Sequence, residues 1–342
     1  MTMTAFFGRL AAGVTAALLA IAPAAEAKLG RITIGTNPQG TTYYVLGGGL
    51  AKLFSDKLGV TATAQPYAGS SVYLPLIHSG EVTMGLSSSL DTSLAFRGKP
   101  PYDGTGGLTK LRSLGRAWAL PYAFVARGDS GLKRVSDLRG HKVAVEFRAN
   151  AALAAANRAI LAAAGLDPDR DVEAVTITGI PEGYKLVTEG VIAAAPTALG
   201  IPLALQAHST LPGGIIMLAL DGPNATTEFL NAQVPGLYIL PTKPGDNNPG
   251  VDEPKNVAGF DVFYLVSADM DEDDAYTLIR TLYENYEQMQ ADYAVLRSSP
   301  RDLLARPTNT APFHPGAVRF FREVGLWSAE NEARDAALMR GE

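Results

Sequence analysis

The stretch Arg31-Ile32-Thr33-Ile34-Gly35-Thr36-Asn37-Pro38-Gln39-Gly40-Thr41-Thr42-Tyr43-Tyr44-Val45-Leu46-Gly47-Gly48-Gly49-Leu50-Ala51-Lys52-Leu53-Phe54 decides the fold. Arg31 to Ile34 alternates polar and apolar residues, the period of a half-buried strand. After Gly40, the apolar residues Leu46, Leu50, Leu53 and Phe54 recur at helical spacing. Strand, polar glycine loop and helix follow one another, which is the opening of an α/β unit. The helix N-terminus presents unpaired N–H groups, a setting suited to an anion such as a carboxylate. Thr41 and Thr42 are candidate caps, and Tyr43 and Tyr44 are candidate walls of a small pocket. Successive helical residues point about 100° apart, so one tyrosine faces the pocket and the other packs. The spacing Gly35 to Gly40 also matches the start of a phosphate-binding loop, but Thr41 stands where its lysine belongs, and the nucleotide reading is discarded.

The 342 residues are 47% hydrophobic and 18% charged, enough for one large or two medium domains. A net charge of -5 speaks against nucleic acid as a partner. There are no cysteines, which removes thiol catalysis, disulfides and cysteine metal sites. Residues 1–27 read as a secretory leader: Arg9 ends a short n-region, Leu10 to Ala22 is apolar, and Ala25-Glu26-Ala27 offers the small residues of a cleavage site. The mature chain is expected to begin near Lys28, in the periplasm, without membrane insertion and as a monomer.

Further units follow. Val60 to Gln65 is a strand running into Gly69-Ser70-Ser71, where a serine caps a helix ending before Ser79-Gly80; Pro75 is expected in its first turns. Glu81 to Leu86 is a third strand ending in Ser87-Ser88-Ser89. Three strands thus end in small polar loops, which gather on one sheet edge in a parallel α/β layer. Leu111 to Ala126 reads as a strand leaving the first lobe. His141 to Val145, the loop Glu146-Phe147-Arg148-Ala149-Asn150 and an alanine-rich helix open a second lobe. Strand Val172 to Thr178, helix Pro181 to Glu189, a polar turn at Pro196-Thr197-Ala198-Leu199-Gly200, a helix to His208 and strand Gly214 to Leu220 continue it. Tyr238 to Ala258 reads as loop. Phe260 to Val266 is the return crossing, followed by a long helix with the stripe Leu278, Ile279, Leu282, Tyr286 and Met289, and by a final helix over 316–324. Two lobes joined by two strands make a hinge around a cleft. The lobe boundaries are 28–121 plus 262–342 for the first and 122–261 for the second.

The order of Gly40-Thr41-Thr42-Tyr43-Tyr44, Leu46-Gly47-Gly48, Gly69-Ser70, Ser79-Gly80-Glu81, Asp137-Leu138-Arg139-Gly140-His141-Lys142-Val143, Ala164-Gly165-Leu166, Gly200-Ile201-Pro202 and the tail His314 to Leu326 resembles the TAXI-type solute receptors of TRAP transporters. The resemblance spans nearly the whole mature chain. It implies a type II periplasmic-binding fold that delivers a small organic anion (a carboxylate, 2-oxo acid or acidic amino acid) to a TRAP permease, with no cofactor and no catalysis. Family ligand positions fall on Thr36, Thr41, Tyr43, Tyr44, Gly69, Ser70, Ser88 and Ser89, and in the second lobe on Phe147 to Asn150 and on Ala195, Pro196 and Thr197. The chain departs from the family at several of them. A small Gly-Ser-Gly-type loop is replaced by Glu146 to Asn150, an Asn by Tyr73, a Gln-Ser-Asp by Ser88-Ser89-Leu90, and an Asp by Ala194.

Arg148 is the most informative departure, because a guanidinium binds a carboxylate through two parallel hydrogen bonds. Arg116, just before the first crossing, is a second candidate clamp. Tyr73 projects into the cleft or covers the core. The four histidines lack metal-site spacing, and His314 reads as fixing the turn before the last helix. No Gly-x-Ser-x-Gly elbow supports a serine nucleophile. The alternatives in the same fold are the binding component of an ABC importer and a ligand-sensing receptor subunit.

Overall fold

The computed structural model describes residues 29–341 apart from 149 and 247; the leader over 1–27 and the start near Lys28 lie outside the described residues. Strand β1 (Arg31–Thr36), helix α1 (Thr42–Leu58), β2 (Thr61–Pro66), α2 (Ser70–Ser79), β3 (Met84–Ser88) and α3 (Ser89–Phe96) form the first βα series. Strand β4 (Leu111–Arg127) then crosses to β5 (Lys142–Phe147), α4 (Ala151–Ala163), β6 (Glu173–Ile177), α5 (Ile180–Thr188), β7 (Ala194–Ala198), α6 (Pro202–Thr210), β8 (Ile215–Met217), α7 (Thr227–Gln233) and β9 (Leu237–Thr242). Strand β10 (Lys255–Ser267) returns, and α8 (Glu272–Glu284), α9 (Tyr286–Asp292), α10 (Pro315–Glu323) and α11 (Ala329–Met339) complete the chain.

The sheet order β2-β1-β3-β10-β4-β7-β5-β6 repeats one plan twice. Strands β2, β1 and β3 are parallel, with β10 antiparallel beside β3. Strands β6, β5 and β7 are parallel, with β4 antiparallel beside β7. The long strands β4 and β10 pair with each other through register shifts near Val262 and Tyr264, where bulges add twist. The chain therefore adopts the two-lobed α/β architecture expected from its sequence.

The apolar core follows the same division. One cluster joins Ile32, Ile34, Leu46, Phe54, Tyr73 and Trp118 to Val262, Phe263, Leu278 and Phe321. Another joins Tyr122, Phe124, Val145, Ile160 and Leu218 to Phe260. The crossing strands change cluster between Trp118 and Tyr122 and between Phe260 and Val262. Leu90, in the first turn of α3, is buried in the second cluster, so α3 sits against both lobes.

Several elements differ from the sequence reading. The segment read as loop from Tyr238 contains β9, which pairs with β10 alone. As an edge strand it accommodates Pro241, whose missing N–H breaks no ladder on its free side. Pro196 and Thr197 lie in β7 and not in a turn; β7 is an internal strand, but it meets β5 only at Ala194, so Pro196 lies past the end of that ladder. The loop after β5 starts at Arg148, since Glu146 and Phe147 are still strand. Pro75 lies mid-helix in α2. The long helix after β10 breaks at Asn285, although Leu278, Ile279, Leu282, Tyr286 and Met289 are all buried as one stripe. Helix α10 is followed by α11, capped by a reciprocal Ser328–Asn331 box. His314 caps α10: its Nδ1 accepts from the Gly316 N–H at 3.2 Å while Nε2 meets the Met270 carbonyl at 3.1 Å.

Candidate functional site

The parallel strands β1, β2 and β3 end side by side, so their loops meet at one edge of the first lobe. Thr36 closes β1 and is fully buried, its hydroxyl donating to the Asn37 carbonyl at 3.0 Å. Gly40 at φ 84 makes the turn that a side chain would strain, and brings Thr41 into the cap position. Thr41 Oγ1 accepts from the Tyr44 N–H at 3.3 Å and donates to the Pro38 carbonyl at 2.7 Å. Thr42, Tyr43 and Tyr44 are half-buried. The Tyr43 ring meets Trp118 edge-on, with centroids 5.5 Å apart. Helix α1 lies close on β1 because Gly47 has no side chain: a Cβ there would come within 2.4 Å of Thr36. The second loop supplies Gly69 and the buried Ser70, and the third supplies Ser88, which caps α3.

These loops gather around a residue that the sequence reading passed over. Asp91 lies in the first turn of α3 and is only 8% exposed. Ser88 Oγ donates to Asp91 Oδ2 at 2.7 Å and accepts from the Asp91 N–H at 3.0 Å. Burial pushes the Asp91 carboxyl up, opposed by Ser88, Ser70 and Asn150, whose polar side chains favour the ionised form. Asn150 belongs to the second lobe, where it caps α4 by accepting from the Leu153 N–H at 2.9 Å. One carboxylate is thus flanked by loops of both lobes. Burial also raises the Tyr43 and Tyr102 phenols, and the charge of Asp91 adds to it. The signal was present in Ser88-Ser89-Leu90-Asp91, a Ser-x-x-Asp capping pattern at a strand–helix junction.

A raised carboxyl pKa has a stability consequence with a definite sign. The folded chain holds the Asp91 proton more tightly than the unfolded chain, so this stabilisation is complete below the unfolded pKa and is lost as pH rises through the folded one. Relative to Asp91→Asn, the parent is expected to lose thermal stability as pH rises from about 4 to 7. Melting curves of both proteins across that range check it; a gap that does not change with pH would contradict it.

The remaining candidates divide by what their side chains touch. Phe147 is buried against Ile177 and Val187 in the second lobe. Arg148 is exposed; its N–H donates to the Ile177 carbonyl at 2.9 Å. The Glu182 carboxyl is held below its usual range by Thr178 first, and by the charge of Arg148 after it. Pro196 and Thr197 are buried on β7, and Thr197 Oγ1 lies 3.2 Å from the Tyr184 phenol. Ser89 donates across the lobes to the Gly236 carbonyl at 3.2 Å. Tyr73 covers the core and does not project into the cleft: it is fully buried, donates to the Leu86 carbonyl and fills space left by Gly35 and Gly85.

Arg116 is not free to clamp a ligand. It is 2% exposed, and its Nε meets Asp261 Oδ1 at 2.7 Å while Nη1 donates to Ser299 at 3.0 Å. Asp261 also accepts from Tyr238 at 2.8 Å and from Thr308. A guanidinium at a lobe crossing finds its carboxylate on the neighbouring crossing strand, because a buried charge needs a partner. Among the described residues, no group of three or more His, Asp or Glu is placed to hold a metal ion, and no helix is long and apolar enough to cross a membrane.

The profile of the NMT1-like family matches residues 34–325. Among solved structures, the chain is similar to the substrate-binding protein of an amino acid ABC transporter, at 12% identity over 77% of this chain and 96% of that one, with a TM-score of 0.45. It is similar to the alkanesulfonate-binding protein SsuA from Xanthomonas axonopodis pv. citri bound to MOPS, at 14% identity over 88% and 95%, with a TM-score of 0.47. A histidine kinase sensor domain with similarity to periplasmic binding proteins is 16% identical over 78% and 94%, with a TM-score of 0.47.

Proposed function

The chain belongs to the NMT1-like family, and from that premise we propose that it is an extracytoplasmic solute-binding protein whose lobes close on a small organic molecule. The observation that carries this reading is the convergence of polar loops from both lobes on Asp91, beside two crossing strands that permit hinge motion. The split of the core clusters between Trp118 and Tyr122 and between Phe260 and Val262 supports lobes of 28–121 plus 262–342 and of 122–261. Binding is a population shift: a solute touching both lobes stabilises the closed form, which a membrane importer then recognises. The protein acts as a receptor without catalysing a reaction, in the periplasm and as a monomer.

The importer is placed first as an ABC type, the role described for the amino acid receptor above. A TRAP permease is placed second, since that reading rests on motif order alone. Co-purification of the chain with each class of permease from its own host separates them.

The solute carries a carboxylate, and Arg148 of the second lobe binds it on closure. Its exposure at the start of the β5–α4 loop leaves the guanidinium accessible to solute. In calorimetry with L-glutamate as the probe, Arg148→Ala is expected to weaken binding at least about tenfold, or about 1.4 kcal/mol. Unchanged affinity would remove Arg148 from the site. Small-angle scattering with and without the probe tests closure itself, the expected result being a smaller radius of gyration on binding.

A further inference from the structure

The solute-binding reading leaves a charge unexplained, and the inference here rests on that reading. Two strongly buried carboxylates lie near the junction of the lobes, and they are treated differently. Asp261 is paired with Arg116 at 2.7 Å. Asp91 has no Lys, Arg or His within 4.0 Å among the described residues, and its donors are neutral. Ser88 donates to its Oδ2 at 2.7 Å, and the Ser70 and Asn150 side chains stand beside it as further neutral donors. The side chain is nevertheless more than nine-tenths buried.

A carboxylate taken out of water without a counter-charge is costly, and such a group persists where its charge is used. What surrounds Asp91 suits a cation. The half-buried Tyr43 lies in the range of its charge, with Trp118 at its ring edge. The Tyr102 hydroxyl is buried and lacks a hydrogen-bond partner among the described residues. Aromatic faces and a carboxylate together form the usual recognition set for an ammonium group. An anionic group placed there would meet like charge in a setting of low dielectric.

We propose that Asp91 is the specificity-determining residue of the cleft and that the solute carries a cationic nitrogen, which supplies the counter-charge that the Asp91 carboxylate lacks. Together with a carboxylate held by Arg148, this makes the solute a zwitterion, with its charged ends assigned to opposite lobes. Dicarboxylates and 2-oxo acids, which lack the nitrogen, are then poor ligands.

The test is a thermal-shift and calorimetry panel on the purified chain at pH 7, in two arms. One arm holds L-alanine, L-glutamate and L-arginine; the other holds pyruvate, 2-oxoglutarate and succinate. The expected result is a raised melting midpoint with members of the first arm only. With the best first-arm probe, Asp91→Asn should weaken binding at least tenfold, and Asp91→Glu should recover part of it. Binding of a second-arm acid to the parent, or equal affinity of Asp91→Asn, overturns the proposal while leaving solute capture standing. Silence in both arms counts against solute capture itself and takes this inference with it. The parent's choice between the arms is read without any variant having to fold.

Discussion

Arg116→Ala is expected to lower the free energy of unfolding by about 3–5 kcal/mol, measured by urea denaturation. The guanidinium is enclosed between β4 and β10, where Asp261 is fully buried and shares its carboxylate with Tyr238 and Thr308. Removing Arg116 leaves that carboxylate without its counter-charge while the neutral donors remain. The Tyr238 phenol, already raised by burial and then by Asp261, offers no compensating positive charge. Replacing both partners by apolar residues of similar volume, as in Arg116→Met with Asp261→Leu, is expected to restore most of the loss, because no uncompensated charge is then buried. A loss below about 1 kcal/mol for Arg116→Ala would show that water reaches Asp261, as it reaches an exposed pair.

Gly316→Val is expected to destabilise the first lobe by about 3 kcal/mol, combining overpacking with disturbance of a helix cap. Gly316 lies where α10 crosses α8. A Cβ at this position would stand 2.2 Å from the Glu272 carbonyl oxygen and 2.8 Å from the Tyr276 nitrogen. Both are backbone atoms of one helix, so the clash cannot be relieved by a rotamer change. The Gly316 N–H is also the donor that His314 accepts, and moving α10 away from α8 loosens that cap. Gly48→Ala is the contrasting control. It is an exposed position inside α1 with nothing within 4 Å of the added Cβ, and a gain of about 0.5–1 kcal/mol is expected there. Thermal melts of the two variants should move in opposite directions.

The apolar periodicity of β1, α1 and the units that repeat them was sufficient to read an α/β chain in two lobes, since burial of alternate strand residues and of one helix stripe is a local property. The reading failed where a proline looked like a breaker and the strand had an unpaired stretch to receive it. Pro241 in β9 and Pro196 in β7 are both of this kind. It also failed at the third loop, where attention to the serines hid the acid three residues after Ser88. The Ser-x-x-Asp spacing makes Asp91 visible as part of a helix start, but nothing local says that this carboxylate is buried beside Asn150 of the other lobe.

By itself, the sequence determined the leading βα units of each half and the two crossings, which depend on spacing within a few residues, whereas α3, α7, β9 and α11 were not legible in it. Only the tertiary structure decided which polar groups are committed elsewhere. Arg116 is taken by Asp261, 145 positions away, Tyr73 by the Leu86 carbonyl, and Ser89 by Gly236. The physical reason is that a buried donor or charge takes whatever partner the packing brings to it, and packing joins residues that the chain keeps far apart.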